Sequence, residues 1–531
     1  LRWDVTQTLN DLPIGQGAWL LLFPTYSIAD AFASQVGANA SGVTTGCYEL
    51  SDEGAVLEVS QEREAVPAQG QASPLLARVI EKAAANLPLD PQTEGERLPL
   101  KIVISTAQLG QLNNAAQYDA LTGLMLSIAK TVQQAADVEL WFITESAYAI
   151  ADQQQEVRPE QAMVLGFAKN LVLELAGKVR AVLDVDQWNE VVAKQCSQIM
   201  SNGVSEPWIA LREQRLLAPT ITRVQPESLA KRNLKLSETG FYVIAGGTGS
   251  LGLAIAEWMV RQGAQHIALL SRSGVRDEVA ERVDALRKLG AQIVVPTVDL
   301  ADRAALERIL DSLRQDRAID GVVHAAGQFE LSPIQELDTQ RCSRLMANKV
   351  LGMQWLDELT CHDDLQFFAG YSSIASVWGS AGNFHYCAAN QVVDAVIQRR
   401  HQQGKTAVAL NWGPWAESGM VSHESADQAE KRGLLQISQA TGTQTFGRLL
   451  ASDQNQLIVA DMLWHRFKPI MDITAMGSLF RSVQDVESFE DLLNVEVELN
   501  QEDLLFKQEL AECAQEERAE RLLGYLKQQL A

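Results

Sequence analysis

The stretch Phe241-Tyr242-Val243-Ile244-Ala245-Gly246-Gly247-Thr248-Gly249-Ser250-Leu251-Gly252 reads as a five-residue apolar strand, a glycine-rich turn and the opening of a helix. Glycines at 246, 249 and 252 tolerate positive φ and let the backbone approach a bound group closely. A helix starting near Leu251 adds amide donors and the positive end of its dipole, so the turn suits a pyrophosphate. The strand before and the amphipathic helix after distinguish such a turn from a chance run of glycines. Outward from it the pattern alternates: helix Leu253–Gln262, strand His266–Ser271, helix Glu278–Leu289, strand Gln292–Val298, helix Arg303–Arg314 and strand Gly321–His324. Alternation of this kind predicts an α/β fold, a parallel sheet covered by helices.

Residues 1–225 show a similar layout. Candidate strands are Ala18–Phe23, Lys101–Ser105, Val138–Thr144 and Val179–Val185, with helices at Pro74–Ala85, Tyr118–Gln134 and Glu160–Ala176 and a hairpin over Trp208–Leu217. Here the first strand runs into Pro24-Thr25-Tyr26-Ser27, which cannot cradle a pyrophosphate. The first half is therefore expected to be a support unit, 1–225, followed by a second unit at 226–485 that carries the site. Residues 486–531 hold twelve Asp/Glu against four Lys/Arg and end in a helical pattern, Leu510 to Leu530, expected to be an acidic linker and the start of another element. A chain opening on Leu1 is what a segment of a longer polypeptide would show.

Acidic residues number 67 against 44 basic ones, a formal net charge of −23. That field repels phosphate backbones and anionic bilayers, so nucleic acid is not expected as a partner and any phosphate must be held by local devices. Six scattered cysteines without a CxxC pair or a His/Cys cluster predict reduced thiols, a cytoplasmic setting and no metal site. The early apolar run Trp19–Phe23 is too short for a signal peptide or a membrane span.

Specificity for the cofactor is read at the end of the second strand. An NAD-preferring site wants a carboxylate there for the ribose diol, but Ser271-Arg272-Ser273 occupies the place. Arg272 suits a 2′-phosphate, so NADPH is expected. Asp299, with Leu300 beside it, is a candidate for the adenine, and Ala325-Ala326-Gly327 leaves room for the cofactor to pass. For the chemistry, Tyr386 and Asn390 share a helix face at i and i+4. Ser373 at a strand end and Lys349 on an earlier helix are expected to converge with them at the C-terminal edge of the sheet. A phenol is a sluggish acid near neutrality unless a neighbouring cation stabilises its phenolate, and Lys349 is placed for that part. Each of the four also has an ordinary alternative, as a helix-surface, strand-cap or solvated residue.

Together the residues resemble the ketoreductase domain of modular polyketide synthases, a branch of the short-chain dehydrogenase/reductases. The resemblance rests on Ala245–Gly252, Leu269-Leu270-Ser271-Arg272-Ser273-Gly274, Val323-His324-Ala325-Ala326-Gly327, Asn348-Lys349-Val350-Leu351-Gly352, Ser372-Ser373-Ile374-Ala375, Tyr386-Cys387-Ala388-Ala389-Asn390 and Asn411-Trp412-Gly413-Pro414-Trp415-Ala416. It extends to Val138–Thr144, Val164–Ala168 and Val182–Asp186, which look like the noncatalytic subdomain of such enzymes. It implies two Rossmann-like parallel-sheet subdomains, the first structural and lacking the cofactor turn, the second catalytic. Also implied are NADPH bound by Gly246, Thr248, Gly249, Ser250, Leu251, Gly252, Ser271, Arg272, Asp299, Leu300, Ala325, Ala326, Gly327 and Pro414, with Tyr386, Ser373, Lys349 and Asn390 as the catalytic group. The substrate would be a keto acyl chain on the phosphopantetheine of an acyl carrier protein, within a megasynthase whose other domains are further partners. The tail from Leu510 resembles the approach to such a carrier.

In this family a Leu-Asp-Asp motif marks D-alcohol producers, and Gln328-Phe329-Glu330-Leu331 stands in its place. Trp378 matches the tryptophan of L-alcohol producers, Asn383 stands where epimerising members carry histidine, and His385 is out of register for that signal. The resemblance thus implies an L-hydroxy product without epimerisation, with Trp378, Gln328 and Met420 near the substrate and a lid between Pro414 and Gly433. An α-keto substrate in a peptide-synthetase module, a free-standing reductase and an inactive scaffold are the alternatives.

Overall fold

The computed structural model describes residues 1–8, 18–36, 42–67, 69–85, 87, 97–150, 155–225, 229, 234–416 and 423–483. Two sheets organise them. The second sheet has seven strands in the order Gln292–Val294, His266–Leu270, Phe241–Ala245, Ile319–His324, Phe367–Ser373, Val408–Trp412 and Gln456–Val459. Every neighbouring pair is parallel. From Phe241–Ala245 the chain winds outward to one edge, then crosses back to add Ile319–His324 on the other side. The glycine turn thus opens at the point where the winding direction reverses, where open sheets leave a crevice for ligands. The strand expected over Gln292–Val298 is shorter, because Pro296 has no N–H to give the ladder. Pairing resumes beyond it only as the isolated Ser271–Thr297 bridge.

The first sheet has ten strands, with the expected parallel centre and the expected hairpin, and adds antiparallel strands that the sequence did not indicate. Its centre, from Trp208–Arg212 through Val179–Val185, Val138–Glu145, Leu100–Ser105 and Ala18–Phe23 to Gly42–Ser51, is parallel. Arg215–Thr220 and Arg2–Thr8 add antiparallel strands at one edge, and Gly54–Val59 and Glu62–Ala65 do so at the other. Short antiparallel additions need only a tight turn, such as the one at Glu213-Gln214, where both residues have positive φ. The helices Tyr26–Val36 and Glu190–Asn202 were likewise missed by periodicity; they cover the face holding Trp19, Phe23, Phe32 and Trp188.

The two sheets are joined by helices that are buried almost all round, Pro159–Glu174 from the first half and Phe384–Gln402 from the second. Neither has the one-sided apolar stripe of a surface helix, as expected when every face meets protein. Phe167 stacks on Phe384 with ring centroids 4.2 Å apart. At Gly166 a Cβ would lie 2.6 Å from Ala388 Cα and 2.8 Å from Cys387 O, so only glycine allows the approach. Leu1–Gln484 accordingly forms one compact unit, although strands of the two sheets do not interleave across residue 225. A second unit, Asp485–Ala531, and with it the expected linker and carrier-like helix, lies outside the described residues. Among the described residues no helix is long and apolar enough to cross a membrane.

Substituting Gly166→Ala forces one of two backbones to move and is expected to lower the unfolding free energy by about 1–3 kcal/mol. Chemical denaturation of the two proteins measures it, and an unchanged midpoint would refute the close approach.

Candidate active site

The strand Phe241–Ala245 delivers the chain to Gly246, whose φ is +79°, and a Cβ there would sit 2.7 Å from the Ala326 backbone. The Gly246 and Gly247 amides both donate to Leu270 O, at 3.0 and 3.1 Å, which pins the turn to the next strand. A Cβ on Gly252 would overlap Gly246 O and lie 2.7 Å from Gly247 Cα, so this glycine sets how closely helix Ser250–Arg261 packs on the turn. At Gly249, which caps that helix, a Cβ would meet only Gly246 O, at 3.3 Å. No side chain caps the helix among the described residues, leaving the first-turn amides of Leu251 and Gly252 to a ligand. The cradle therefore fits the phosphates of a dinucleotide. Thr248 Oγ1 lies 2.6 Å from Ser271 Oγ, which ties the turn to the segment bearing Arg272. Arg272 is exposed and has no ion-pair partner among the described residues. Asp299 is exposed and accepts from Ala301 N at 3.0 Å, while Leu300 is buried beneath it against Gly352.

The catalytic candidates converge as their spacing requires. Lys349, on helix Thr339–Leu359, is 6% exposed; its Nζ donates to Tyr371 O at 2.7 Å and to Asn390 Oδ1 at 3.0 Å. Asn390 in turn donates from Nδ2 to the carbonyl of Tyr386 at 2.8 Å. Burial pulls the Lys349 ammonium down to about 8, against the opposing pull of the Asp394 carboxylate. The Tyr386 phenol is raised by burial, while hydrogen bonds with Ser373 and Asn390 act in the other direction. Phe329 meets its ring edge-on with centroids 5.3 Å apart. Ser373 ends strand Phe367–Ser373 and caps the following short helix, accepting from Ala375 N at 3.2 Å. A phenol, a hydroxyl and a lysine held by one amide thus stand at the C-terminal edge of the parallel sheet.

The positions around this group differ in what they face. Gly327 is needed for the lysine itself, since a Cβ there would lie 2.7 Å from Lys349 Cε. Ala325 donates to Ala245 O at 2.9 Å, holding backbone that borders the turn, and Pro414 O accepts from Ile437 N at 2.8 Å. Gln328 is exposed beside the cleft. Trp378 is 4% exposed, packed against Phe467 and Phe480, so its ring lies within an aromatic cluster. His385 is buried and lowered to about 4 by desolvation. Met420 and the stretch 417–422 of the expected lid lie outside the described residues, while helix His423–Lys431 occupies its later part.

What sequence reasoning missed lies one helical turn deeper. Asp394 is 1% exposed and takes hydrogen bonds from Ser376 Oγ at 2.6 Å and from Asn411 Nδ2 at 2.9 and 3.0 Å. Its signal was present: Tyr386, Asn390 and Asp394 stand at i, i+4 and i+8 on one face.

Residues 240–417 match the family model of the KR domain. Pikromycin polyketide synthase component PikAIII of Streptomyces venezuelae is 30% identical over 381 residues, 69% of this chain and 24% of that protein. Polyketide synthase GfsA of Streptomyces halstedii is 29% identical over 461 residues, 86% of this chain and 6% of that protein. The chain therefore spans under a quarter of the length of either relative. Among solved structures, the ketoreductase from the first module of phoslactomycin biosynthesis in Streptomyces sp. HK803 is similar, with a TM-score of 0.69 at 25% identity over 91% of this chain and 98% of that one. A-type ketoreductases and a C2-type ketoreductase from modular polyketide synthases each share the fold, with a TM-score of 0.73 at 23% and 21% identity over 91% and 90% of this chain and 96% and 97% of theirs. These two types superpose equally well, so the fold alone does not choose between them.

Gly252→Ala opens the turn away from its helix and is expected to weaken binding of a reduced nicotinamide dinucleotide at least about tenfold, as followed by its fluorescence. Undiminished affinity would show that the turn is not the cradle.

Proposed function

We propose that this chain, which fits the ketoreductase domain of a modular polyketide synthase, uses NADPH to reduce the β-keto group of an acyl chain carried as a phosphopantetheine thioester on an acyl carrier protein. Such domains are oxidoreductases that act on keto groups. The observation that carries the proposal is the convergence of Lys349, Asn390, Tyr386 and Ser373 beside a glycine cradle that fits a dinucleotide. When bound, NADPH supplies the hydride for the carbonyl carbon. Tyr386 Oη gives its proton to the carbonyl oxygen, and Ser373 Oγ donates a hydrogen bond to that oxygen as charge develops on it. Lys349 stays fixed by Asn390 and Tyr371 O near the phenol, where a positive charge favours the phenolate left behind. Arg272, free of ion pairs among the described residues, takes the 2′-phosphate, while Asp299 and Leu300 border the adenine.

The proposed product is the L-hydroxyacyl chain without epimerisation, supported by the missing Leu-Asp-Asp motif, by Trp378 and by Asn383. Because the Trp378 ring is packed on Phe467 and Phe480, it would steer through the aromatic cluster it stiffens. The partners proposed are the carrier protein and the other domains of the megasynthase, in the cytoplasm.

Tyr386→Phe is expected to cut turnover by about 10²–10⁴-fold with NADPH affinity nearly unchanged; near wild-type reduction would refute the assignment. Chiral product analysis over carrier-bound α- and β-keto thioesters tests substrate and configuration in one experiment, and a D-alcohol overturns the stereochemical part. In Arg272→Ala the KM for NADPH is expected to rise about tenfold or more while that for NADH barely changes. Equal changes would remove the 2′-phosphate role.

A further inference from the structure

The buried carboxylate beneath the site takes no part in the chemistry proposed above, yet three of its connections lead there. Ser376 Oγ and Asn411 Nδ2 bind it, and the same Asn411 Nδ2 reaches Ser372 Oγ at 3.1 Å and Ser373 O at 3.3 Å. Ser376 Oγ also donates to Ser373 O at 2.8 Å, and Ser372 Oγ donates to Asn390 O at 3.2 Å. The turn bearing Ser373 and the helix bearing Tyr386 and Asn390 are thus clasped around a single anion. The third connection is electrostatic, for Asp394 favours the charged form of two buried lysines, Lys349 of the catalytic group and Lys169 of the first half. Lys169 is 1% exposed; its Nζ donates to Ser376 O and Gln391 Oε1, both at 2.8 Å, and sits 3.3 Å from the centre of the Trp208 ring.

We propose that Asp394 is a positioning residue for the reduction: its carboxylate holds the Ser372–Ser376 turn that presents Ser373, and it is the counter-ion that keeps Lys349 charged beside Tyr386. The proposal rests on the ketoreductase reading for its catalytic half only. An ammonium taken out of water is strongly disfavoured unless an opposite charge shares its low-dielectric surroundings. Neither hydrogen-bond acceptor of Lys349, a peptide carbonyl and an amide oxygen, carries a formal charge. The titratable groups whose charge couples to Lys349 are His324 from its neighbouring strand and Asp394 from the catalytic helix, and Tyr386 is linked to it through the Asn390 amide. Of these His324 is lowered to about 3 and Tyr386 is raised, so Asp394, at about 6, is the one anion near neutrality. Facing Asp394 itself are Lys169, Lys349 and the phenol of Tyr148.

The sign of the effect follows. Lys349 loses its proton as pH rises through about 8, and removing the anion moves that loss to lower pH. In Asp394→Asn, kcat is expected to fall about tenfold with KM for NADPH within about twofold, and the alkaline limb of kcat to move down by about one pH unit. Ser376→Ala keeps the charge but removes a clasp, so it should lower kcat and leave the limb in place. An unmoved limb in the first variant, or equal movement in both, overturns the counter-ion. A measurement on the unsubstituted chain needs neither turnover nor a folded variant. With 13Cε-labelled lysine, the Lys349 signal, assigned by its loss in Lys349→Met, should show its own midpoint near 8 and a smaller inflection near 6 as Asp394 takes its proton. Absence of the lower inflection overturns the proposal whether or not the chain reduces a ketone. Failure of wild-type turnover with the inflection present overturns the ketoreductase reading instead.

Discussion

The approach of helix Pro159–Glu174 to helix Phe384–Gln402, made possible by the missing side chain of Gly166, is the constraint on which the site depends. The second helix carries Tyr386, Asn390 and Asp394 along one face, and the phenol proposed to give up its proton must be held to a fraction of an ångström. A helix lying only on its own sheet would have one face loose. Here the first half closes that face with a ring stack, a buried lysine amine and the Asn170 amide, which donates to Ser380 O at 2.5 Å. Further along, Glu174 accepts from the backbone of Ile334 at 2.6 Å and of Gly382 at 3.2 Å, tying two segments that flank the cleft to the same helix. A half with no phosphate-binding turn of its own thereby fixes the geometry of the half that has one.

Much of this was legible in the residues because local signals and global fold agree. The strand, glycine turn and helix at 241–252 are set by short-range chemistry, and the structure shows what each glycine admits: Ala326 backbone at 246, the turn itself at 252. The convergence of Lys349, Asn390, Tyr386 and Ser373 follows from all four lying at strand ends or helix faces that a parallel sheet sends to one edge. Of the antiparallel edges of the first sheet, the Trp208–Leu217 hairpin was legible, whereas Arg2–Thr8, Gly54–Val59 and Glu62–Ala65 were not. Gly42–Ser51 mixes Thr, Cys and Glu with apolar residues and gives no clean alternation, so its pairing is decided by tertiary context.

The polar layer under the site was invisible for a different reason. Asp394, Asn411, Ser376 and Lys169 are individually commonplace residue types, and only their burial marks them. Burial is a property of two helices meeting across half the chain, which no periodicity within either helix encodes. Gly327 is a milder case: its absent side chain was assigned to the cofactor, while the structure shows the lysine stem occupying that space as well.

Lys169 carries one more implication, for recombining such proteins. A chimera joined near residue 225 would keep this amine on one parent and its acceptors Ser376 and Gln391 on the other, along with the Asp394 charge they surround. A parent lacking the matching partners would leave a buried amine without its hydrogen-bond acceptors, at a cost of about 1–3 kcal/mol. Grafts that move residues 1–484 as a block avoid that mismatch, so the natural unit of exchange is the pair of halves and not the half that bears the tyrosine.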